Sequence, residues 1–447
     1  MANRFRTYLK LHKVSLTLAF VSILFYYTFA YQLERTDFPK LLGLFAALFF
    51  LCYKLIQFEK WNATFLFSIG VLFRLTFLFA EPNLSQDFYR FIWDGELVQN
   101  FMNPYLAAPN TLITQPNLII SNAELLHQGM GSLSAKHFSN YPPLNQLLFA
   151  LATQLSGKSI LGAIIGLRSI IILADIGIFY FGRKLLKKLN RSTHLIFWYF
   201  LNPLILIELT GNLHFEGVML FFFVWSIYLL SIHKWQWAGV ALACSISVKL
   251  VPFLLLPLFL KYFSFKRSIF FYTIIGFTSL VFLIPFYSSE FVTNYSKTIG
   301  LWFSNFEFNA SLWNVVKHIG ILFDAKPWEL IKTYGKITPV LTIGFVLLFT
   351  FLRKNKDLRT LLSSMLWILT LYYFLSATVH PWYIIFLVLL SIFTNFRYAL
   401  VWSLAVILSY FAYSKTDFNE NLYLLAIEYS TVIGYIIYEI SGHRNKS

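Results

Sequence analysis

A chain of 447 residues that is 58% hydrophobic and only 13% charged carries more apolar surface than a soluble core of that size encloses, which excludes an ordinary soluble globular protein. The net charge of +16 is spread over short basic clusters between apolar segments rather than along one face, which excludes a nucleic-acid-binding surface. The two cysteines, Cys52 and Cys244, both lie in apolar runs, so no disulfide framework is implied.

Three apolar runs open the chain, at about 14–31, 38–53 and 61–80, each approaching the roughly 20 residues a helix needs to cross a hydrocarbon core. The first follows basic residues and contains Thr28-Phe29-Ala30, a passable signal-peptide cleavage site; it reads as an uncleaved span, since the rest of the chain is itself inserted. Residues 81–158 then form a polar first outer loop. In its SQDFYRFIWDGEL string, Phe88, Phe91 and Ile92 stand beside Asp87, Arg90 and Asp94 at helical spacing, which predicts a short amphipathic helix along the interface. The run YPPLNQLLFALATQL, 141–155, is too short for a span and reads as an interfacial or re-entrant helix begun by Pro142-Pro143.

Further spans follow near 159–181, 193–210, 214–232 and 235–250, then a half-span at 251–263, begun by Pro252 and interrupted by Pro257, and a span at 268–286. Broken helices at membrane depth line cavities rather than face lipid. A second outer loop, 287–337, holds Trp302, Phe303, Phe306, Phe308 and Trp313, which read as an interfacial aromatic belt. Four more spans close the chain, with HPWY, 380–383, at an outer turn. The expected architecture is a single all-α integral membrane domain over 1–447, a polytopic bundle of about 13–14 transmembrane segments with interfacial helices in the first long outer loop. Basic clusters such as Arg4 and Arg6, Arg183 to Arg191, Arg353 to Arg359, and Arg444 with Lys446 mark one side, so the positive-inside rule puts both termini in the cytoplasm.

Ionisable groups at membrane depth are costly, and each is a functional candidate when a partner is at hand. Arg168 and Asp175 lie seven apart on one helix face and read either as functional groups or as structural glue. Glu208, Asn212, His214 and Glu216 share the string ELTGNLHFEG at the turn of a helix pair. His214 and Glu216, two apart, point to different faces and make a weak metal site. In SVKLVP, Lys249 ends a span just before the half-helix, where it could meet a phosphate or snorkel to headgroups. The loop string also has two readings. Ser85 can cap a helix whose first-turn Asp87 pairs with Arg90 at i+3, or carboxylate, guanidinium and carboxylate can present a base to a hydroxyl and a cation to a phosphate.

The run QDFYRFIWDGELVQNFMNPY, followed in order by YPPLNQLLFAL, NPLILIELTGNLHFEGVMLF, SVKLVPFLLLP and HPWY, resembles the bacterial polytopic mannosyltransferases of the glycosyltransferase C (GT-C) superfold over roughly residues 80–385. The resemblance implies an inverting glycosyltransferase that moves a sugar, mannose favoured, from a polyprenyl phosphate donor to an acceptor hydroxyl on the outer face of the cytoplasmic membrane. It places the catalytic general base on Asp87. Two spans precede 61–80, more than many relatives have before that loop, so helix numbering is not carried over. The candidate substrate-binding set is Arg90, Trp93, Asp94, Tyr141, Asn212, His214, Glu216, Lys249, His380, Trp382 and Tyr383. Within it Arg90, Lys249 and His380, with Arg168 outside it, are the phosphate candidates. Trp93, Tyr141, Trp382 and Tyr383 could stack on sugars or anchor at the interface, and Asp94 and Glu216 are reserve bases. No cofactor or metal is required, although a divalent cation is compatible; membrane lipids are expected around the chain, and the acceptor could be glycan, lipid or protein. A transporter or flippase for a lipid-linked saccharide is the rival; it predicts internal symmetry, and none is visible.

Overall fold

The computed structural model describes residues 7–8, 10–415 and 418–444. Arg4, Arg6 and Lys446 lie outside the described residues, as do the side chains of Trp302, Phe303 and Arg444. Among the described residues the chain is helical, with no strand and one isolated bridge between Phe308 and Thr378. A chain this apolar has to satisfy its backbone groups within each segment, and the helix does so.

Seven helices are long and apolar enough to cross a membrane among the described residues: Lys13–Gln32, Phe38–Phe58, Ile160–Lys188, Phe265–Phe286, Pro327–Phe351, Leu358–Leu375 and Leu422–Gly442. Thr193–Phe200 and Pro203–Gly211, bent by 50°, make an eighth if counted as one span. The protein is therefore a multi-pass membrane protein. The expected 13 to 14 segments sort into these and shorter apolar helices of 10–17 residues, among them Ala63–Thr76, Glu216–Ser231 and Trp235–Val248. Proline accounts for several of the breaks. Pro203 holds the preceding Asn202 extended, at φ −63° and ψ 125°, and Pro257 sits inside Val251–Leu260, which is wound as a tight 3₁₀ helix.

The broken span is held by charges. Beyond Pro203 the chain widens into a π-helix over Leu206–Gly211, leaving carbonyls out of the ordinary ladder. Arg168 takes two of them, donating to Thr210 O at 2.7 Å and Gly211 O at 3.0 Å, and also caps Leu78 O and Ala80 O at 3.0 and 2.7 Å. Asp175 pairs instead with Arg74, Nε to Oδ2 at 2.9 Å, and accepts from Tyr199 Oη at 3.1 Å. Arg168 and Asp175 thus tie separate partners to Ile160–Lys188. Both are structural, and the buried Arg168, its guanidinium engaged by four carbonyls, is removed from the phosphate candidates.

In the first loop, Asp87–Gln99 forms the expected helix, but it does not lie exposed along an interface. Phe88, Arg90, Phe91, Ile92, Trp93, Asp94, Glu96 and Leu97 are all buried. The helix beginning at Pro143 runs to Gln154; its 12 residues, about 18 Å long, are too short to cross and pack against Asp87–Gln99. They approach tightly at Gly95, where an added Cβ would stand 2.7 Å from the Phe149 carbonyl oxygen. Gly95→Ala is expected to cost about 1–3 kcal/mol through forced separation of the two helices, read as a lowered midpoint of thermal unfolding in detergent. The aromatic belt expected at 302–313 is corrected at two of its five members. Trp313 and Phe308 are buried, and backbone bonds from Phe308 N to Ala377 O (3.0 Å) and Val379 N to Phe308 O (2.8 Å) fasten this segment to the HPWY turn.

Candidate active site

A cavity of about 710 Å³ opens between the first loop, the broken helix after Lys249, the segment 306–308 and the HPWY turn. Asp87, Arg90, Tyr141, Lys249, His380, Trp382 and Tyr383 line it. Trp93, Asp94, Asn212, His214 and Glu216 stand behind the wall.

Asp87 begins its helix, half-buried, with the N-cap at Gln86 rather than Ser85. Its amide donates to Ser85 Oγ at 3.3 Å. Its carboxylate has no hydrogen-bond or ion-pair partner among the described residues. Arg90 does not pair with it: the guanidinium reaches forward to Asp94, Nε to Oδ1 at 2.7 Å, and donates to Ser134 O and His137 O at 2.7 and 3.0 Å. Asp94 in turn accepts from Ser139 Oγ at 2.5 Å and Gln146 Nε2 at 3.1 Å. Fully buried and saturated in this way, Asp94 is a scaffold for the loop and not a reserve base. Burial raises the Asp87 carboxyl above the usual carboxylate range, opposed by the positive charges of Lys249 and Arg35 and reinforced by Glu216.

Lys249 sits where the chain breaks, extended at φ −146° and ψ 140°, so its side chain leaves the helix axis and enters the cavity. Its ammonium is 2.5 Å from Glu216 Oε1, and the second Glu216 oxygen is buried without a partner. Glu216 therefore holds Lys249 from behind. Asn212 fixes the approach to Asp87, accepting from Leu84 N at 3.3 Å and donating to Glu208 Oε2 at 3.1 Å. Tyr410 Oη donates to the other Glu208 oxygen at 2.7 Å.

His214 and His380 each stack on Trp382, at 3.7 and 4.3 Å between ring centroids with interplanar angles of 20° and 4°. The two imidazoles make no ring contact with each other, so they occupy opposite faces of the indole. Phe308 extends the column beyond His380, at 4.9 Å. Trp382 consequently has no free face for a sugar, and the fully buried Trp93 has none either. Tyr141, held edge-on by Phe91 at 5.0 Å, and Tyr383, stacked on Tyr373 at 5.9 Å, remain as cavity aromatics. Burial, with Lys249 and Arg35 nearby, pushes His380 down to about 3, leaving its imidazole neutral.

Among the lining residues that the sequence reading did not single out, Arg35 is a cation. Arg35, in the turn between the first two helices, places its guanidinium 3.4 Å above the Tyr413 ring. No local pattern marks it, because its partners come from the distant C-terminal part of the chain. No group of three or more His, Cys, Asp or Glu side chains suited to a metal ion occurs among the described residues.

Residues 40–263, half of the chain, match the family model described as Alpha-(1->6)-mannopyranosyltransferase, N-terminal domain, of the MptA/B family. The matched span holds Asp87, Arg90, Glu216 and Lys249, whereas Arg35, His380 and Tyr413 lie outside it. No curated protein matches the chain. With its bundle of membrane-crossing helices, the chain belongs to the alpha-(1->6)-mannopyranosyltransferase MptA/B family and is a membrane-embedded mannosyltransferase.

Proposed function

We propose that the protein transfers mannose from a polyprenyl phosphate donor to an acceptor hydroxyl by a single inverting displacement, with Asp87 as general base. The observation that carries this reading is the unpaired Asp87 carboxylate facing a large cavity that also receives Lys249 and Arg35. The acceptor oxygen attacks the anomeric carbon while Asp87 takes its proton. The bond from that carbon to the phosphate oxygen breaks, and the leaving electrons stay on the phosphate, stabilised by the cavity cations. The apolar wall at Leu254, Pro339 and Ile343, on Val251–Leu260 and Pro327–Phe351, supplies a berth for the first prenyl units. No cofactor is invoked.

Arg168, which caps the loop side, and the Lys184, Lys187 and Lys188 cluster lie roughly 25 Å apart along one helix, so the cavity and the basic cluster belong to opposite sides of the bilayer. Under the positive-inside rule the cavity opens on the outer face of the cytoplasmic membrane, and both termini are cytoplasmic.

An α product formed with inversion requires a β-linked donor. Supplied with both anomers of polyprenyl phosphate mannose, the protein is expected to consume the β form and give an α linkage, read from the one-bond coupling of the anomeric carbon. Consumption of the α anomer with retention would overturn the single displacement.

Lys249 has a measurable part in this scheme. The base works only when ionised, so activity falls as pH drops through the Asp87 pKa. Lys249 is the largest charge pulling that pKa down, and its removal moves the acid limb of the kcat/KM profile to higher pH. Lys249→Met should show this shift relative to the wild type; an unmoved limb would separate Lys249 from Asp87.

A further inference from the structure

We propose that Arg35 is the residue that seats the donor phosphate. The inference rests on the lipid-phosphate reading above and names which cavity cation does the work.

Among the described residues three Arg or Lys side chains line the cavity: Arg35, Arg90 and Lys249. Two are already balanced, Arg90 by Asp94 at 2.7 Å and Lys249 by Glu216 at 2.5 Å. The lining carboxylate Glu307 is likewise balanced, by Lys317 at 2.6 Å, and takes a hydrogen bond from Trp313 Nε1. After these pairs cancel, the cavity retains, among the described residues, one cation, Arg35, and one carboxylate, Asp87. Among the described residues no carboxylate forms an ion pair with Arg35, and its buried Nε has no hydrogen-bond partner.

Its seat explains why it can serve an anion. Stacking over Tyr413 fixes the plane of the guanidinium by its face while leaving N–H groups along its edge for a phosphate. An arginine held in this way is oriented before the ligand arrives, and little side-chain freedom is lost on binding.

The remaining guanidinium also has a part in the transfer itself. A polyprenyl phosphate sugar is a phosphodiester of charge −1, which one guanidinium neutralises. During transfer the hydroxyl proton moves to Asp87, which becomes neutral, while the leaving phosphate becomes a monoester with a second charge. Charge is conserved, but it migrates from Asp87 to the phosphate. Arg35 therefore binds the transition state more strongly than the ground state.

Farnesyl phosphate, a short monoester resembling the leaving product, provides the probe, and farnesol is its uncharged control. Inhibition of mannose transfer by farnesyl phosphate should weaken at least about tenfold in Arg35→Gln, with farnesol inhibition unchanged and a smaller loss in Arg35→Lys. Unchanged farnesol inhibition also shows that the cavity is intact; if the Gln variant does not fold, Arg35→Lys carries the test, with a loss above about threefold expected. Farnesyl phosphate inhibition of Arg35→Gln within twofold of wild type overturns the assignment, and a loss in Lys249→Gln instead moves the phosphate to Lys249. Failure of farnesyl phosphate to inhibit even the wild type would overturn the lipid-phosphate reading and this inference with it.

Discussion

Asp87→Asn is expected to lower mannose transfer by about 10²–10⁴-fold while leaving the protein folded. The amide keeps the size and shape of the carboxylate but accepts no proton at working pH. Nothing in the fold depends on the charge: the carboxylate has no partner among the described residues, and burial already disfavours its ionised form. Thermal unfolding of this variant should match the wild type or rise slightly, because an unpaired, partly desolvated charge has been removed. Transfer assays and a melting curve on one preparation check both halves. Retention of full activity would pass the base to Glu216, whose second oxygen is unpartnered but which stands behind Lys249.

The second large effect is structural. Arg74→Met should destabilise the protein by about 3–5 kcal/mol, because it leaves Asp175 as an uncompensated buried charge. Arg74 also donates to Gly70 O and Phe200 O, both at 2.9 Å, so the same change loosens the third helix from the broken span. That span carries Glu208 and leads to Asn212, which fixes the residue three before Asp87. Activity should therefore fall along with stability. Replacing both partners, Arg74→Met with Asp175→Leu, is expected to recover much of the stability, since a buried pair exchanged for apolar side chains is often close to neutral. The test is a double-mutant cycle by thermal unfolding in detergent. Additive losses would show that the two residues do not depend on each other.

The contrast between these residues marks what could be read in advance. Membrane character, the loop helix at Asp87, the break after Lys249 and the helix beginning at Pro143 all follow from local signals: apolar length, proline, and charge beside aromatic residues. Asp87 and Lys249 stand at the ends of elements whose breaks are visible in the chain, and they do reach one cavity. Pairings were harder, because helical spacing allows more than one. Arg90 could turn back to Asp87 or forward to Asp94, and only the packing of Ser139 and Gln146 around Asp94 decides for the latter. Arg168 and Asp175 share a helix face, yet each is claimed by a different neighbour.

Aromatic residues misled for a related reason. A tryptophan near a membrane surface has the same local signature whether its faces are free or covered. Trp382 lies between two histidines and Trp93 is sealed inside the loop, so neither offers a face to a sugar. Arg35 is the converse case. Its role is fixed by Tyr413, brought over it by the C-terminal helices, and no short string could announce that contact.

The most direct test of the account is a comparison of donors with purified protein and an acceptor extract. Polyprenyl phosphate mannose should support transfer with release of one polyprenyl phosphate per mannose moved, and a mannose nucleotide diphosphate should support none. Transfer from the nucleotide, with the lipid donor left intact, would contradict it.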